Sequence, residues 1–119
     1  LRIRRLFTLA TPHRGAKLAE RIAPDDAARA MKPGSGFLCE LDRAWAEQAV
    51  ELYPYAVLND TWVGATRSAP PGVGALWTTG SVVFSHFTVS ANRRIVADIA
   101  RRLRGETPLS GAPSSPPSD

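Results

Sequence analysis

Leu6-Phe7-Thr8-Leu9-Ala10-Thr11-Pro12-His13-Arg14-Gly15 is the stretch that decides the fold. An apolar run that is cut off by a turn containing proline and glycine predicts a buried strand over residues 4–10, ending in a loop. Leu18 and Ile22 follow at the four-residue spacing of one face of a helix. A buried strand followed by a helix is the first unit of an α/β fold.

The same alternation continues along the chain. The further predicted elements are a short helix beginning at Pro24, a helix capped by Ser35 that runs to Val50, strands over 53–58 and within 76–83, and a last helix capped by Ser90 or Asn92. In the last helix Ile95, Ile99 and Leu103 form one apolar stripe, while Asp98 lies with the arginines on the other faces. This order predicts an α/β fold with about three strands in a partly parallel sheet.

The composition limits the chain to one modest domain. Of its 119 residues, 44% are apolar, and the segment 105–119 is so rich in Pro and Ser that we expect a disordered tail after a domain over 1–104. Because the chain starts with Leu and enters a strand almost at once, we expect that the fold begins upstream. No apolar run approaches the roughly 18 residues of a membrane span and no signal-peptide pattern is visible, which leaves cytoplasm and secretion both open.

The charge and the cysteine content exclude several classes of function. The net charge of +4 comes from arginines spread along the chain, which is typical of solvated helix faces, so no nucleic-acid partner is expected. DNA binding through the Arg-rich last helix would instead require strongly salt-dependent affinity. The single cysteine, Cys39, excludes an internal disulfide and is expected to be a small buried hydrophobe. No metal-ligand spacing and no nucleotide-binding loop occur, so no cofactor is expected.

Three polar side chains follow the predicted strands. They are His13 after the first, Asp60 after the second and His86 after the third. Sites of open α/β sheets form at the carboxyl ends of strands, and a histidine held by a carboxylate can act as a general base. An Asp in an Asn-Asp-Thr loop is nevertheless often only turn chemistry, and spacing alone leaves both interpretations open. His13, between Pro12 and Arg14, is expected to bond backbone groups rather than substrate.

Several motifs resemble one family. Thr11-Pro12-His13-Arg14-Gly15 resembles the Thr-Pro-His-Arg-Gly segment of bacterial lipases and related α/β-hydrolases, and Met31 to Leu38 resembles a stretch found downstream in the same families, in the lid region. Residues 59–64 are similar to the acid loop, and Ser85-His86-Phe87 is similar to the histidine loop, although Ser85 stands where Gly is more common. The resemblance covers about residues 4–104.

The resemblance implies the C-terminal portion of an α/β-hydrolase fold, with the N-terminal strands missing from this sequence. It implies that Asp60 and His86 are the acid and the histidine of a Ser-His-Asp triad, in the chain order of that fold. Residues 16–50 would form a lid or cap segment that binds an ester or lipid substrate. The candidate substrate-binding residues in it are Leu18, Ile22, Phe37, Leu38 and Trp45.

The nucleophile of such a triad is not in the sequence. No Gly-x-Ser-x-Gly elbow occurs, since Gly34-Ser35-Gly36 has its glycines directly beside the serine. We therefore expect a fragment of a serine ester hydrolase that is inactive alone and that has the N-terminal half of the fold as its partner. The alternative is a non-catalytic remnant, or a module that binds another protein through an open strand edge.

Overall fold

A three-stranded parallel sheet with helices confirms the predicted α/β fold. The computed structural model describes residues 3–81 and 84–119. The strands are β1 (Arg5–Leu9), β2 (Glu51–Val57) and β3 (Leu76–Thr78), in the order β1-β2-β3. The helices are α1 (Lys17–Arg21), α2 (Asp26–Ala30), α3 (Gly36–Ala46), α4 (Ser85–Thr88) and α5 (Arg93–Arg104), with 3-10 turns at Ala65–Arg67 and Val89–Ala91.

The strand register brings the three strand ends to one edge of the sheet. Leu9 pairs with Tyr55, and Tyr55 pairs with Leu76, both in parallel. Because all three strands run the same way, the loops that follow them leave the sheet on the same side. The segments that follow the strands, which contain His13, Asp60 and His86, therefore lie at the same edge of the sheet.

Helix α5 covers one face of the sheet. Ile95 is buried against Tyr55, Val57 and Leu76, and Ile99 packs beside them. The predicted stripe is wrong at its last member, because Leu103 is 61% exposed. Asp98, which was predicted with the arginines on the other faces of this helix, is only 1% exposed.

The helix caps follow the sequence closely. The Ser35 side chain accepts a hydrogen bond from the Leu38 backbone N–H, and Asn92 caps α5 in the same way through its side-chain oxygen. Helix α3 ends at Ala46, before the predicted Val50, and Cys39 on it is exposed rather than buried. The longest helix of the described ranges has 12 residues, and none there has the length and apolar character that crossing a bilayer requires.

The two motifs that carry the family resemblance contact each other. Gly15 has a φ of +89°, and a Cβ on it would lie 2.5 Å from the backbone nitrogen of Pro33. The Ala16 N–H donates to the Met31 carbonyl at 2.8 Å. Glycine at position 15 is therefore required both by its backbone conformation and by the close approach of the segment at Pro33.

The segment 105–119 has neither helix nor strand, yet it follows the body of the protein. Ser110 contacts Asp98, Ser114 pairs with Ala75 in an isolated antiparallel bridge, and Asp119 contacts Thr66. The sequence predicts disorder here because the segment has little apolar surface to bury. In the structure, hydrogen bonds rather than apolar contacts attach the segment. They join it to the edge of the sheet at Ala75 and to the polar residues Asp98 and Thr66.

Candidate active site

Asp60 is fixed in the loop that follows β2. The residue is 1% exposed, and its Oδ1 accepts hydrogen bonds from the backbone N–H groups of Trp62 at 2.9 Å and Val63 at 3.0 Å. Asn59, which precedes it, turns the chain with a φ of +65°, a conformation that asparagine tolerates. The loop geometry therefore leaves Oδ2 as the oxygen that faces the next strand end.

His86 meets that oxygen. Its Nδ1 lies 3.0 Å from Asp60 Oδ2. The histidine was predicted in a loop, but it lies in the one-turn helix α4, directly after Ser85. Ser85 takes part in that helix with an ordinary negative φ, and its hydroxyl donates to the carbonyls of Ser81 and Leu58. Serine is thus accommodated directly before His86 without a positive φ.

Aromatic contacts fix the plane of the His86 ring. Trp62 stacks on it with 5.8 Å between centroids and 7° between planes, and Phe87 meets both rings edge to face. The His86 side chain is 30% exposed. Across residues 3–81 and 84–119, Nε2 of His86 receives no hydrogen bond from the protein, whereas Nδ1 is held by Asp60.

This geometry suits proton transfer. A buried carboxylate that accepts from Nδ1–H fixes the tautomer in which Nε2 carries a lone pair, and it stabilises the imidazolium that forms when Nε2 takes a proton. The two backbone N–H groups on Oδ1 keep the carboxylate in place. The pair predicted from strand-end positions is therefore brought together with the geometry of a general base and its orienting acid.

An apolar cavity of about 320 Å³ opens beside His86. Of the predicted substrate-binding residues, Leu18 and Ile22 line it. Met31 and Trp62 complete its apolar wall. Its volume lies at the lower end of the range for small-molecule sites.

The other predicted substrate-binding residues lie elsewhere. Phe37, Leu38 and Trp45 line a second groove of about 350 Å³ that contains His13 and does not include His86. Pro12 and Met31 border both spaces. The structure thus separates the predicted set into one group beside His86 and one group on the α3 side of Met31.

The Thr-Pro-His-Arg-Gly segment is a structural support of the site. His13 Nε2 lies 3.0 Å from the Thr8 hydroxyl, a side-chain contact where backbone contacts were predicted. Burial lowers the pKa of His13, although the charge of Asp42 opposes this. The Arg14 N–H donates to the Arg67 carbonyl at 3.2 Å, which ties the segment to the 3-10 turn at Ala65–Arg67.

A second polar centre was missed by sequence reasoning. Oδ2 of Asp98 accepts from the Tyr55 hydroxyl at 2.6 Å, from Arg102 Nε at 2.9 Å and from the Ser110 hydroxyl at 2.6 Å. Oδ1 accepts from the backbone N–H groups of Leu109 and Ser110. The only available signal was the i, i+4 spacing of Asp98 and Arg102, which is equally typical of an exposed ion pair.

Burial and hydrogen bonding act in opposite directions at this centre. Burial alone would raise the pKa of Asp98, but the donors from Ser110, Tyr55 and Arg102 outweigh it and hold that pKa well below its usual range. Burial and the neighbouring Asp98 carboxylate together raise the pKa of Tyr55 well above its usual range. The centre therefore stays charged at Asp98 and neutral at Tyr55 throughout the physiological pH range.

Within the part of the chain that the structure describes, no group of three His, Cys, Asp or Glu side chains is arranged to hold a metal ion. We compared the chain with protein-family models, with curated proteins and with solved structures, and none of the three comparisons found a match.

Proposed function

We propose that this chain is the C-terminal part of a lipase- or esterase-like serine hydrolase, in which His86 is the general base and Asp60 is its orienting acid. The observation that carries the proposal is the 3.0 Å contact between His86 Nδ1 and the buried Oδ2 of Asp60, at the carboxyl ends of parallel strands. The order acid, then histidine, agrees with the chain order of α/β-hydrolases.

The chemistry follows from the free lone pair of His86. Nε2 takes the proton of a serine hydroxyl as its oxygen attacks an ester carbonyl, and it then gives that proton to the leaving alcohol. Asp60 holds the Nδ1–H of His86 and stabilises the imidazolium during both transfers. A water molecule then repeats the sequence and releases the carboxylic acid.

The cavity beside His86 favours an acyl group as the substrate part that binds there. Its wall of Leu18, Ile22 and Met31 offers apolar contact, and each buried methylene adds roughly 0.8 kcal/mol of binding free energy. Trp62 connects this wall to the His86 ring by stacking on it. An ester with an apolar acyl chain is therefore the substrate class that the site suits best.

The missing nucleophile would come from a segment that extends the sheet. Strand β1 pairs with β2 along one side, and among the described residues no strand pairs with its other side. The Glu51 N–H donates to Arg4 and the Ala10 N–H donates to Tyr55, so the backbone groups of the alternate residues Arg5, Phe7 and Leu9 point to the open side. A parallel strand carrying a Gly-x-Ser-x-Gly elbow would satisfy them.

The test is a joined protein, in which the chain is expressed together with the polypeptide that is encoded upstream of Leu1. We expect the joined protein to hydrolyse p-nitrophenyl esters and to react with a fluorophosphonate probe at one serine, whereas the 119-residue chain alone does neither. His86→Ala in the joined protein should abolish turnover, because it removes the proposed general base for the serine proton. His13→Gln is the matched control, since it keeps a polar contact to Thr8 and should retain most of the activity.

Two results would contradict the proposal. One is full turnover in the His86→Ala variant of an active joined protein. The other is specific fluorophosphonate labelling of a serine in the chain alone, which would mean that the nucleophile lies within these 119 residues.

A non-catalytic interaction module is the second candidate, and the open side of β1 favours it. In this case the upstream sequence contains no elbow. The chain would then capture a partner strand without any change in its reactivity toward esters.

A further inference from the structure

The carboxylate of Asp119 lies in a polar site formed by Lys17 and Thr66. Its Oδ1 accepts from the Thr66 backbone N–H at 3.1 Å and also from the Thr66 hydroxyl, while Oδ2 lies 3.2 Å from Lys17 Nζ. The three donors come from two different elements, α1 and the 3-10 turn at Ala65–Arg67. They surround one carboxylate with a backbone N–H, a hydroxyl and an ammonium group.

Gly64 makes room for this carboxylate. Its φ is +92°, and a Cβ on it would lie 3.0 Å from Asp119 Oδ1. Any other residue would be strained by the backbone conformation and would also press against the bound oxygen. The loop is thus shaped around the carboxylate by the same glycine that lets the chain turn.

The site is linked to Asp60 by short backbone contacts. The Gly64 N–H donates to the Asp60 carbonyl at 3.0 Å, and the Lys17 N–H donates to the Val63 carbonyl at 3.1 Å. Val63 in turn donates its own N–H to Asp60 Oδ1. Both elements that hold the Asp119 carboxylate therefore also hold the loop that orients the triad acid.

We propose that Lys17 and Thr66 form a carboxylate-binding site whose intramolecular ligand is Asp119, and that its occupation fastens the segment 105–119 to the loop that carries Asp60. The site takes a carboxylate because its three donors converge on two oxygens, and because hydrogen bonds to an ionised acceptor are the strong ones. The same donors outweigh the burial of Asp119 and lower its pKa. The proposal is independent of the hydrolase assignment.

The experiment empties the site and refills it from solution. In the ¹⁵N-labelled 119-residue chain at pH 7, Asp119→Ala should shift the Thr66 amide proton upfield, because its charged acceptor is gone. Sodium acetate should then return this resonance toward the wild-type position in a saturable way, whereas sodium chloride at the same ionic strength should not. Adding Lys17→Ala to the variant should weaken acetate binding about two- to fivefold.

The link to the acid loop has its own readout. Loss of the Asp119 carboxylate should speed hydrogen exchange at the Val63 amide by about tenfold, because the loop loses one charge-assisted attachment. Acetate should restore the slower exchange. Asp26→Ala is the matched control, since Asp26 is an exposed acid that pairs with nearby Arg29, and its loss should leave both readouts unchanged.

The outcomes are decisive in either direction. A Thr66 resonance that is the same in wild type and in Asp119→Ala would overturn the assignment of Asp119 as ligand. A shifted resonance that acetate does not return would overturn the carboxylate site. Unchanged Val63 exchange would overturn the fastening of the acid loop.

Discussion

Two buried aspartates, Asp60 and Asp98, have similar backbone hydrogen bonds and different side-chain partners. Each is 1% exposed, and each gives its Oδ1 to two backbone N–H groups. They differ at Oδ2. That oxygen of Asp98 has three donors, including an arginine, whereas that of Asp60 has one, a histidine.

The surroundings of the two carboxylates differ in the space that is open beside them. The side chains that donate to Asp98 come from β2, α5 and the segment 105–119. The neighbouring cavity of about 10 Å³ is at the lower limit for one water molecule. Around Asp60 the single side-chain partner has a second nitrogen, next to about 320 Å³ of open apolar space. Hydrogen bonds hold both carboxylates in place, but only the partner of Asp60 is a histidine beside an open cavity.

The largest expected effect is on catalysis. Asp60→Asn in the joined protein should lower turnover about ten-thousand-fold while leaving the fold intact. Asn keeps an oxygen for the Trp62 and Val63 N–H groups but offers His86 an N–H, so the imidazole must carry its proton on Nε2 instead of Nδ1. Imidazole ¹⁵N shifts of the chain alone should show this change of tautomer. An unchanged tautomer would contradict the assignment of Asp60 as the residue that fixes the proton on Nδ1 of His86.

The next effect is on stability. Asp98→Ala should lower the free energy of unfolding by about 3 kcal/mol, because it leaves Arg102, the Tyr55 hydroxyl and two N–H groups without their acceptor. Urea unfolding measures it, and Asp26→Ala, at an exposed position, should stay close to wild type. Per folded molecule, Asp98→Ala in the joined protein should keep its esterase activity. If Asp98→Ala lost esterase activity without losing stability, the assignment of Asp98 to stability and of Asp60 to catalysis would be wrong.

The hydrogen bonds to Asp98 also predict that the protein loses stability in acid. Because the pKa of Asp98 is lowered in the folded state, the unfolded chain takes up its proton first as the pH falls below about 4. The free energy of unfolding should therefore fall in that range, and it should fall less steeply in Asp98→Asn. Identical acid profiles for both proteins would contradict the role of the charge.

The smallest effect tests one donor. Tyr55→Phe should cost about 1.5 kcal/mol of stability, which is the contribution of a hydrogen bond to a charged acceptor. The raised pKa of Tyr55 means that the unfolded chain loses this proton first above pH 10, so wild-type stability should fall there with rising pH. The variant should lack this alkaline decline, and a decline of equal size in both would assign it to another group.

Sequence reasoning was most successful where the signal is local. The strand before the Thr-Pro-His-Arg-Gly segment, the Ser35 cap and the position of Asp60 after β2 each depend on a few neighbouring residues, and the structure confirms them. His86 was predicted in a loop and lies in helix α4, where it contacts Asp60. The likeness to hydrolases then gave the pair a role that stays a prediction.

It was least successful where a contact joins distant parts of the chain. Asp98 was placed on a solvated face because helical periodicity counts a charge as exposed, whereas its partners Tyr55 and Ser110 come from a strand and from the polar tail. Leu103 was placed in the buried stripe by the same periodicity, but it is 61% exposed. Periodicity describes one element and contains no information on what covers it.

The bridge between Ala75 and Ser114 has a consequence for self-association. Ala75 exchanges both backbone hydrogen bonds with Ser114 at 2.9 Å, and the Trp77 indole N–H donates to the Ser114 hydroxyl at 3.0 Å, so the β3 side of the sheet is covered there. Among the described residues, the outer side of β1 has no such cover. A second copy that added a strand beside β3 would first have to displace Ser114 from Ala75, whereas one that added a strand beside β1 would displace nothing there.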